Sequence, residues 1–288
     1  MIGENAQVPR GLHLVAVPIG NARDITLRAL DLLRGADVLA AEDTRSLRKL
    51  MEIHGVPLGD RQVMAYHEHN GDRARPRLMA ALEAGQSVVY ASEAGTPLVS
   101  DPGFDLVRAA REAGYPVTSA PGASAVLTAL TVAGLPTDRF LFAGFLPNAK
   151  GARRKALGEL AGVPATLVLY ESPKRVAAAL RDAAEVMGGE RPGALCRELT
   201  KKFEEVLTGT LDELAEAATE RTLKGEMVLL IGKGDSGNIS ETDVEQAVKL
   251  ALEDMSVRDA AASVSRDLGR PKREVYQLAM RLAAEAED

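Results

Sequence analysis

The side chains best suited to chemistry follow the predicted strands in the first half of the chain. The segment EDTR at 42–45 follows one strand, HEHN at 67–70 follows the next, and SEAGTP at 92–97 follows a third. The segments PIGNARD at 18–24 and PGAS at 121–124 come after the first and fifth strands in the same way. In open α/β sheets, ligands bind at the carboxyl ends of the strands. We therefore expect a site at this edge, with carboxylates and imidazoles available for proton transfer.

The elements that position these segments alternate between strand and helix. Residues 12–17 (LHLVAV) form an apolar run typical of a buried strand, and residues 25–36 (ITLRALDLLRGA) have helical periodicity after an Asp24 cap. The same alternation continues to about residue 134, with one helix predicted to open near Pro76. This pattern predicts βαβ units and a mainly parallel sheet.

A second α/β unit follows an interruption at 145–155 (FLPNAKGARRK), where proline, glycine and charge break the pattern. Beyond it, two strand-like runs without a helix between them predict a mixed sheet, with hairpin pairing near 194–208. The expected fold class is α/β with two domains. Its predicted parts are a flexible N-terminus at 1–11, a first domain at 12–146 and a second domain at 147–234.

The last part of the chain has helical patterns only. A polar, glycine-rich linker at 233–241 leads into three short amphipathic helices within 240–288, and the small residues before Gly269 are typical of a helix-turn-helix. This segment holds seven Lys and Arg against eleven Asp and Glu, a net charge of −4. Because a DNA reader is basic, we predict a packing or dimerisation module. A nucleic-acid role stays open because of four cations: Arg266, Arg270, Lys272 and Arg273.

The bulk composition is that of a globular protein with room for two domains. The chain has 288 residues, of which 46% are hydrophobic and 26% charged, and its net charge of −6 does not indicate a nucleic-acid binder. Basic clusters at 45–49, 150–155 and 197–202 read singly as solvated helix faces and together leave a polyanionic partner open. No signal-peptide pattern or membrane-length apolar segment occurs, and the single Cys196 has apolar neighbours. We expect a cytoplasmic protein with a buried thiol and no membrane contact.

Standard cofactor motifs are incomplete at the predicted sheet edge. The dinucleotide fingerprint needs three glycines after the first strand, where Gly20 stands alone, although Glu42 lies where a ribose-binding acid would. The phosphate-binding pattern G-x-x-x-x-G-K-[ST] and the hydrolase pattern G-x-S-x-G do not occur. His67 and His69 leave zinc as an alternative, but no third ligand stands at a known spacing. We therefore expect a site without metal.

Nine segments, taken in order, resemble one known family. They are VPIGNARDITLRAL, AAEDTR, YHEHN, SEAGTPLVSDPG, PGASA, GLPTDRFLFAGFLP, YESPKR, RELTKKFEE and KGEMVLLI. Over residues 12–232 their order is similar to that of the ribosomal-RNA small-subunit methyltransferase I family, in the tetrapyrrole methylase superfamily, and the helical tail also resembles that family's tail domain. The resemblance implies two α/β domains with a cleft, S-adenosylmethionine as cofactor and a homodimer. It further implies 2′-O-methylation of a cytidine in the decoding region of small-subunit ribosomal RNA.

The resemblance also implies which loops meet the methyl donor. Loops of the first domain approach the donor from one side, and three segments of the second domain flank it from the other. The cofactor-binding residues implied in this way are Pro18, Gly20, Ser92, Glu93, Ala94, Thr96, Ser124, Tyr170, Glu171, Ala194, Gly225, Glu226 and Met227. For the side chains of Tyr170 and Met227, packing in the core is the alternative role.

The acceptor chemistry adds a second group of residues. A ribose 2′-hydroxyl is a poor nucleophile until a base accepts its proton. The candidate bases are Glu42, Asp43, His67 and Glu68, with Asp43 and His67 preferred. A helix cap with an ion pair is the alternative role for Asp43. The residues expected to hold phosphate or to contact and position RNA are Arg23, Arg45, Arg197 and Lys201.

Two positions depart from the family pattern, since threonine is common where Val17 stands and aspartate where Glu93 stands. Both departures bear on the detailed contacts of the donor loops. Two other functions also stay open. A methyltransferase of the same fold with a small-molecule or protein acceptor would need neither the basic clusters nor the tail, and a non-enzymatic nucleic-acid-binding regulator would use the C-terminal helices. Free RNA and the assembled subunit are both possible substrates.

Overall fold

The computed structural model describes most of the chain, at residues 8–100, 102–234, 241–268 and 270–287. Within these ranges the chain forms two five-stranded sheets with flanking helices, followed by three C-terminal helices. The predicted α/β fold class with a helical tail is confirmed. Residues 1–7 of the predicted flexible N-terminus, residues 235–240 of the predicted linker, and Gly269 lie outside the described residues.

The first sheet is parallel throughout, as predicted, with the strand order β3-β2-β4-β1-β5. Successive residues of its central strand, Val88 and Val89, pack into separate cores on opposite faces, which explains the unbroken apolar run. The elements of this unit are β1 (Gly11–Val15), α1 (Leu27–Gly35), β2 (Val38–Ala41), α2 (Thr44–Ile53), β3 (Val63–Ala65), α3 (Gly71–Glu83), β4 (Ser87–Ala91), α4 (Phe104–Glu112), β5 (Val117–Ala120) and α5 (Ala125–Val132).

Two helix starts differ from the sequence prediction. Thr26, not Asp24, caps α1, because the Thr26 side chain accepts a hydrogen bond from the backbone N–H of Ala29. Helix α3 begins before Pro76, which lies inside it. The earlier start follows from Asn70, whose side chain accepts from the N–H of His67 at 2.8 Å and donates to a carbonyl of β3 at 3.0 Å, turning the chain into the helix.

The second sheet is mixed, as predicted, with the order β6-β7-β10-β8-β9. Strands β6 and β7 are parallel and the remaining pairs are antiparallel, including a β8–β9 hairpin in which Ala194 lies opposite Thr208. The elements are β6 (Phe140–Phe145), α6 (Lys150–Ala161), β7 (Thr166–Glu171), α7 (Val176–Met187), β8 (Pro192–Arg197), β9 (Glu205–Thr210), α8 (Leu211–Glu220) and β10 (Met227–Ile231).

The segment taken as a boundary at 145–155 is structured. Strand β6 pairs with β7, so the change of sheet comes before Phe140 rather than at 146/147. Helix α6 covers residues 150–155 of the segment. Its Arg153 is buried, with Nε 2.7 Å from Oδ2 of Asp182. The cluster at 150–155 is therefore partly an internal ion-pair network and not only a solvated face. We propose a division between the domains in the loop at 133–139.

The tail consists of α9 (Glu241–Asp254), α10 (Val257–Leu268) and α11 (Lys272–Glu287), in agreement with the three helices that the sequence predicts. These helices share their own apolar core, which includes the buried Val248, Ala261, Val275 and Ala279. Across the described ranges, no helix combines the length and apolar character needed to cross a bilayer.

Candidate active site

A cavity of about 370 Å³, here named the interdomain cavity, lies between the two sheets. Its first-domain wall comes from the loops after β1, β4 and β5, and its second-domain wall from the ends of β6, β7 and β8 and the start of β10. Met227 pairs with both Glu171 and Arg197, so these positions form one row at the edge of the second sheet. The lining residues are Ile19, Ala94, Gly95, Thr96, Val99, Ser124 and Ala125 from the first domain, and Phe145, Tyr170, Glu171, Ser172, Pro173, Cys196, Leu199, Gly225, Glu226, Met227 and Val228 from the second.

Hydrogen bonds fasten the first-domain loops of this cavity to one another. Ser92 Oγ donates to the carbonyl of Gly95 at 3.1 Å, and Thr96 Oγ1 donates to the carbonyl of Ala123 at 3.0 Å. Gly95 has a φ of +71°, and a Cβ at this position would lie 3.1 Å from Cγ2 of Ile19. Glycine suits both this backbone conformation and the close approach. The loops after β1, β4 and β5 therefore act as one wall.

Two turns with left-handed backbone each place an apolar residue at the cavity. Among the described residues, the non-glycine positions of this kind are Leu98, Ser100, Glu198 and Thr200, with φ values of 72°, 63°, 52° and 66°. Val99 lies between the first two and Leu199 between the last two, and both line the interdomain cavity. Such backbone costs about 1–3 kcal/mol per residue and concentrates at functional sites. The strain therefore supports a binding role for the cavity.

Glu171 supplies a buried carboxylate to the interdomain cavity. The residue is 3% exposed, and its Oε1 accepts a hydrogen bond from the N–H of Ser172 at 2.7 Å. Its Oε2 lies 3.2 Å from Nη2 of Arg175 but receives no hydrogen bond of acceptable geometry. Arg175 directs its own donors to the carbonyl of Leu146 and the side chain of Asn148. Oε2 is thus a buried acceptor with capacity for a ligand's N–H or O–H group.

The remaining lining is largely apolar. Tyr170 packs edge-on against Phe142 and Phe145, with ring centroids 4.9 and 5.5 Å away, so it belongs to the core and also reaches the cavity. Cys196 is fully buried, and burial together with the charge of Glu204 raises the pKa of its thiol to about 11. A thiol with this pKa stays protonated at neutral pH, so Cys196 acts as an apolar wall residue and not as a nucleophile.

A second cavity of about 540 Å³ lies beside the first, against helix α2. We name it the α2 cavity. Its lining residues are Val17, Pro18, Gly20, Ala22, Asp43, Arg45, Ser46, Leu47, Lys49, Leu50, Ile53, Ser92 and Glu93. The loops after β1 and β4 contribute to both cavities: Pro18 and Gly20 face the α2 cavity while Ile19 faces the interdomain cavity, and Glu93 and Ala94 divide in the same way. The two cavities therefore share one thin wall.

Asp43 is the N-cap of α2 and also lines the α2 cavity. Its Oδ1 accepts from the backbone N–H groups of Arg45 and Ser46 at 2.7 and 3.3 Å, and its Oδ2 lies 3.3 Å from Nη2 of Arg45. The N–H of Arg45, followed by its guanidinium, lowers the pKa of Asp43 below its ordinary value. The cap with an ion pair, one of the two roles considered from sequence, is therefore present. The cavity position leaves the second role compatible with the geometry.

Neither cavity is lined by Arg23 or by the other three candidate bases, Glu42, His67 and Glu68. Oε2 of Glu42 accepts a hydrogen bond from the N–H of Glu93 at 3.0 Å, so this carboxylate braces the loop after β4. The rings of His67 and His69 stand edge to face with centroids 6.2 Å apart. In the part of the chain that the structure describes, no three His, Cys, Asp or Glu side chains gather as a metal-ligand set.

The predicted donor residues divide among three places. Lining the interdomain cavity are Ala94, Thr96, Ser124, Tyr170, Glu171, Gly225, Glu226 and Met227, and lining the α2 cavity are Pro18, Gly20, Ser92 and Glu93. Ala194 lies elsewhere, fully buried in the core of the second sheet. Arg197 is held by Glu205, with Nε 3.1 Å from Oε2.

Sequence reasoning missed the apolar side of the interdomain cavity. Ile19, Val99, Phe145 and Leu199 were not singled out, because large apolar side chains read as core residues in a sequence. A signal was present, since each lies inside one of the quoted motifs and directly beside polar or glycine residues.

Comparisons with known proteins identify the family and the fold of the chain. The family described as Tetrapyrrole (Corrin/Porphyrin) Methylases matches residues 11–215, and the RsmI C-terminal HTH domain matches residues 238–283. A protein of Mesorhizobium japonicum named ribosomal RNA small subunit methyltransferase I is 47% identical, over 94% of this chain and 92% of its own length. A protein of the same name from Halalkalibacterium halodurans is 41% identical, over 93% of both chains.

Solved structures share the fold at low sequence identity. A uroporphyrin-III C-methyltransferase from Thermus thermophilus, complexed with S-adenosyl homocysteine, aligns with a TM-score of 0.54 at 22% identity, covering 77% of this chain and 97% of that one. A diphthine synthase aligns with a TM-score of 0.60 at 16% identity, covering 77% and 89%. These likenesses concern the fold, whereas the sequence relatives fix the family. The chain belongs to the ribosomal RNA small subunit methyltransferase I family, and its fold is that of the tetrapyrrole methylases.

Proposed function

We propose that this chain transfers a methyl group from S-adenosylmethionine to the 2′-oxygen of a cytidine in small-subunit ribosomal RNA. The observation that carries the proposal is the pair of adjoining cavities, one between the domains and one against α2, that share a wall of family motifs. The proposal is supported by relatives that are 41–47% identical over more than nine-tenths of their length and are named as small-subunit ribosomal RNA methyltransferases.

The interdomain cavity is the proposed donor site. Its volume of about 370 Å³ is within the range of small-molecule sites, which is about 300–1,000 Å³. Its apolar lining suits the adenine ring and the aliphatic chain of the donor, and Oε2 of Glu171 offers an acceptor for an amino or hydroxyl group of the donor. The proposed donor residues are Ala94, Thr96, Ser124, Tyr170, Glu171, Gly225, Glu226 and Met227.

The α2 cavity is the proposed acceptor site. Arg45 and Lys49 supply positive charge for phosphate, and Ile53 offers an exposed apolar side chain for a ribose or base. We assign Pro18, Gly20, Ser92 and Glu93 to this side instead of to direct donor contact. Arg23 and Arg197, which line neither cavity, are kept as RNA-contact candidates.

The chain's own residues align two bound molecules and exclude water. When bound, the donor supplies an electrophilic methyl group on a sulfonium sulfur. This sulfur leaves as a neutral thioether and needs no metal for activation. Of the four candidate bases, Asp43 is the one that lines the α2 cavity, so we assign to its carboxylate the hydrogen bond from the acceptor 2′-hydroxyl and the proton that leaves it. Glu42 then braces the loop that carries Glu93, and His67 is left outside the proposed chemistry.

We further propose that the active form is a homodimer and that it works in the cytoplasm, where ribosomal RNA is found. Large apolar side chains are exposed on α5 and on β6, which is an edge strand of the second sheet: Leu127, Val132 and Phe140. Exposed apolar surface of this kind is typical of a protein interface. Light scattering on the purified chain would give twice the mass of 30.5 kDa for a dimer.

The acceptor class is tested by offering purified protein and labelled donor to several acceptors. These are small subunits from a strain that lacks the activity, naked RNA from the same particles, uroporphyrinogen, and a protein extract freed of RNA. The proposal predicts label in the RNA of the small subunits or in the naked RNA, and none in uroporphyrinogen or in the protein extract. Label in the tetrapyrrole or in protein would favour the alternative acceptors instead, and donor binding with no transfer to any of them would favour a binding protein.

A further inference from the structure

Lys201 is more buried and more tightly ion-paired than a lysine that only contacts RNA needs to be. It lies in the turn after β8, and its side chain is only 28% exposed. Its Nζ is 2.8 Å from Oε1 of Glu198 and 3.1 Å from Oε2 of Glu226. Burial lowers the pKa of Lys201, but the hydrogen bonds to both carboxylates outweigh that effect and raise it. The ammonium group is thus engaged within the protein.

One of the two carboxylates belongs to the donor side of the cleft, and the other is bonded to it. Glu226 lines the interdomain cavity at its solvent-exposed edge, where its side chain is 74% exposed. It exchanges backbone contacts with Glu198, whose N–H donates to the carbonyl of Glu226 at 2.9 Å and whose Oε1 accepts from the N–H of Glu226 at 3.0 Å. The adjacent Gly225 leaves room for this arrangement, because a Cβ there would stand 2.3 Å from Oε1 of Glu198. The contact with Lys201 therefore holds Glu226 in place at one end of the interdomain cavity.

The stem of Lys201 meets the other domain. A Cβ on Gly20 would lie 2.4 Å from Cγ of Lys201 and 2.8 Å from Oγ1 of Thr200. The loop after β1 and the turn after β8 are therefore in contact at this glycine. The N–H of Asn21 also donates to Oγ1 of Thr200 at 3.2 Å. Gly20 lines the α2 cavity, on the acceptor side of the shared wall. The turn that carries Lys201 therefore contacts the donor side through its charge and the acceptor side through its stem.

We infer that Lys201 is a positioning residue that fastens Glu226 on the donor side to the Gly20 loop on the acceptor side, and so sets the distance between the two bound molecules. The inference rests on the proposed function of the two cavities. The strained turn supports it, because left-handed Glu198 and Thr200 persist only where their surroundings hold them in place. The competing role, a phosphate contact, needs an ammonium group free to leave two carboxylates.

The test compares three full-length variants: Lys201→Met, which keeps the stem and removes the charge, Lys201→Arg, which keeps the charge, and Lys202→Met, a neighbouring exposed lysine. S-adenosylhomocysteine binding is measured by calorimetry, and transfer to small subunits is measured across a salt series. We expect Lys201→Met to weaken S-adenosylhomocysteine binding about fivefold to tenfold. Lys201→Arg should restore it to within about twofold, and Lys202→Met should leave it unchanged.

A cycle with Gly20 tests the interdomain contact independently of the charge. Gly20→Ala should weaken binding and turnover, since its methyl group meets Cγ of Lys201. The double variant Gly20→Ala with Lys201→Ala should recover part of the loss, because residues in contact show non-additive effects. Purely additive losses would overturn the inference.

The outcomes separate this inference from the proposed function. Unchanged S-adenosylhomocysteine binding in Lys201→Met, with a raised KM for subunits and a salt slope lower by about one, would show a phosphate contact and overturn the inference alone. A wild-type chain that bound no S-adenosylhomocysteine would overturn the proposed function itself.

Discussion

Val17 and Gly95 exchange both of their backbone hydrogen bonds, at N···O distances of 2.9 and 3.0 Å, and this bridge forms the partition between the two cavities. Val17 lines the α2 cavity and Gly95 lines the interdomain cavity. The bridge uses backbone atoms only. The departure from a threonine at position 17 therefore leaves the partition intact, because no side-chain hydroxyl takes part in it.

Substitutions at the two ends of this bridge should have unlike effects. Val17→Thr should change S-adenosylhomocysteine affinity by less than about twofold while costing about 1 kcal/mol of stability, because it buries a hydroxyl. Gly95→Ala should cost about 1–3 kcal/mol and weaken binding at least tenfold, because of its φ of +71° and the 3.1 Å approach to Ile19. Calorimetry and thermal unfolding measure both quantities. Equal binding losses would contradict the assignment of the partition to backbone bonds.

Glu93 should affect the acceptor more than the donor, since its position lines the α2 cavity and not the interdomain cavity. Glu93→Asp, which restores the residue common in the family, should change the KM for small subunits and leave S-adenosylhomocysteine affinity within about twofold. Steady-state kinetics and calorimetry give the two numbers. A change confined to donor affinity would place the carboxylate on the other side of the wall.

Asp43→Asn should separate catalysis from capping. Asparagine caps a helix as well as aspartate does, so α2 should stay stable while turnover falls about 10²–10⁴-fold, with donor affinity unchanged. Because the pKa of Asp43 is lowered from 3.8, its carboxylate is ionised in the folded protein throughout pH 5–8. Its titration should therefore produce no break in the rate profile there. Asp43→Asn with wild-type turnover would restrict the residue to its cap.

Cys196 should resist alkylation in the native protein. Its thiol is fully buried and its pKa is raised to about 11, so little thiolate is present at pH 8. Intact-mass analysis after iodoacetamide treatment at pH 8 should show almost no adduct without denaturant and one adduct in urea. Fast native labelling would mean that the interdomain cavity opens to solvent more widely than the structure indicates.

Removal of the tail should spare the donor site. Helices α9–α11 pack around their own core, so a chain ending at residue 234 should bind S-adenosylhomocysteine within about twofold of the full chain. We expect transfer to small subunits to fall at least tenfold through KM, since the tail matches a family helix-turn-helix domain. Wild-type transfer by the truncated chain would reduce the tail to an accessory role.

The parallel sheet, and the loops after its strands that line the two cavities, could be predicted because buried strands and the loops after them have strong local signals. LHLVAV and SVVYA are apolar on both faces, and the loops after them carry glycine, proline and carboxylates. The same logic failed at β6, whose hydrogen-bond partner in β7 lies beyond an intervening helix. Sheet membership depends on that long-range pairing, which residues 140–145 do not reveal locally.

The basic clusters were a less reliable guide to the roles of single residues. Lys201 and Arg153 stood in clusters that left a polyanionic partner open, yet each is held by a carboxylate distant in sequence, Glu226 and Asp182 respectively. Partner residues such as Asp182 and Glu226 are distant in sequence, so no local pattern predicts the pairing. The division of the predicted donor loops between two cavities was also not predictable from the sequence. Adjacent residues such as Glu93 and Ala94 line different cavities, and the sequence does not show which cavity each residue faces.

The most direct test of the account is nucleoside analysis of small-subunit RNA after reaction with a donor that carries a deuterated methyl group. The account predicts deuterium in 2′-O-methylcytidine at a single position of the RNA, and at least tenfold less at a subsaturating donor concentration when Gly95→Ala replaces the wild-type protein. Deuterium on a base, on another nucleotide or on ribosomal protein would contradict it. So would unlabelled RNA from a wild-type protein that calorimetry shows to bind the donor.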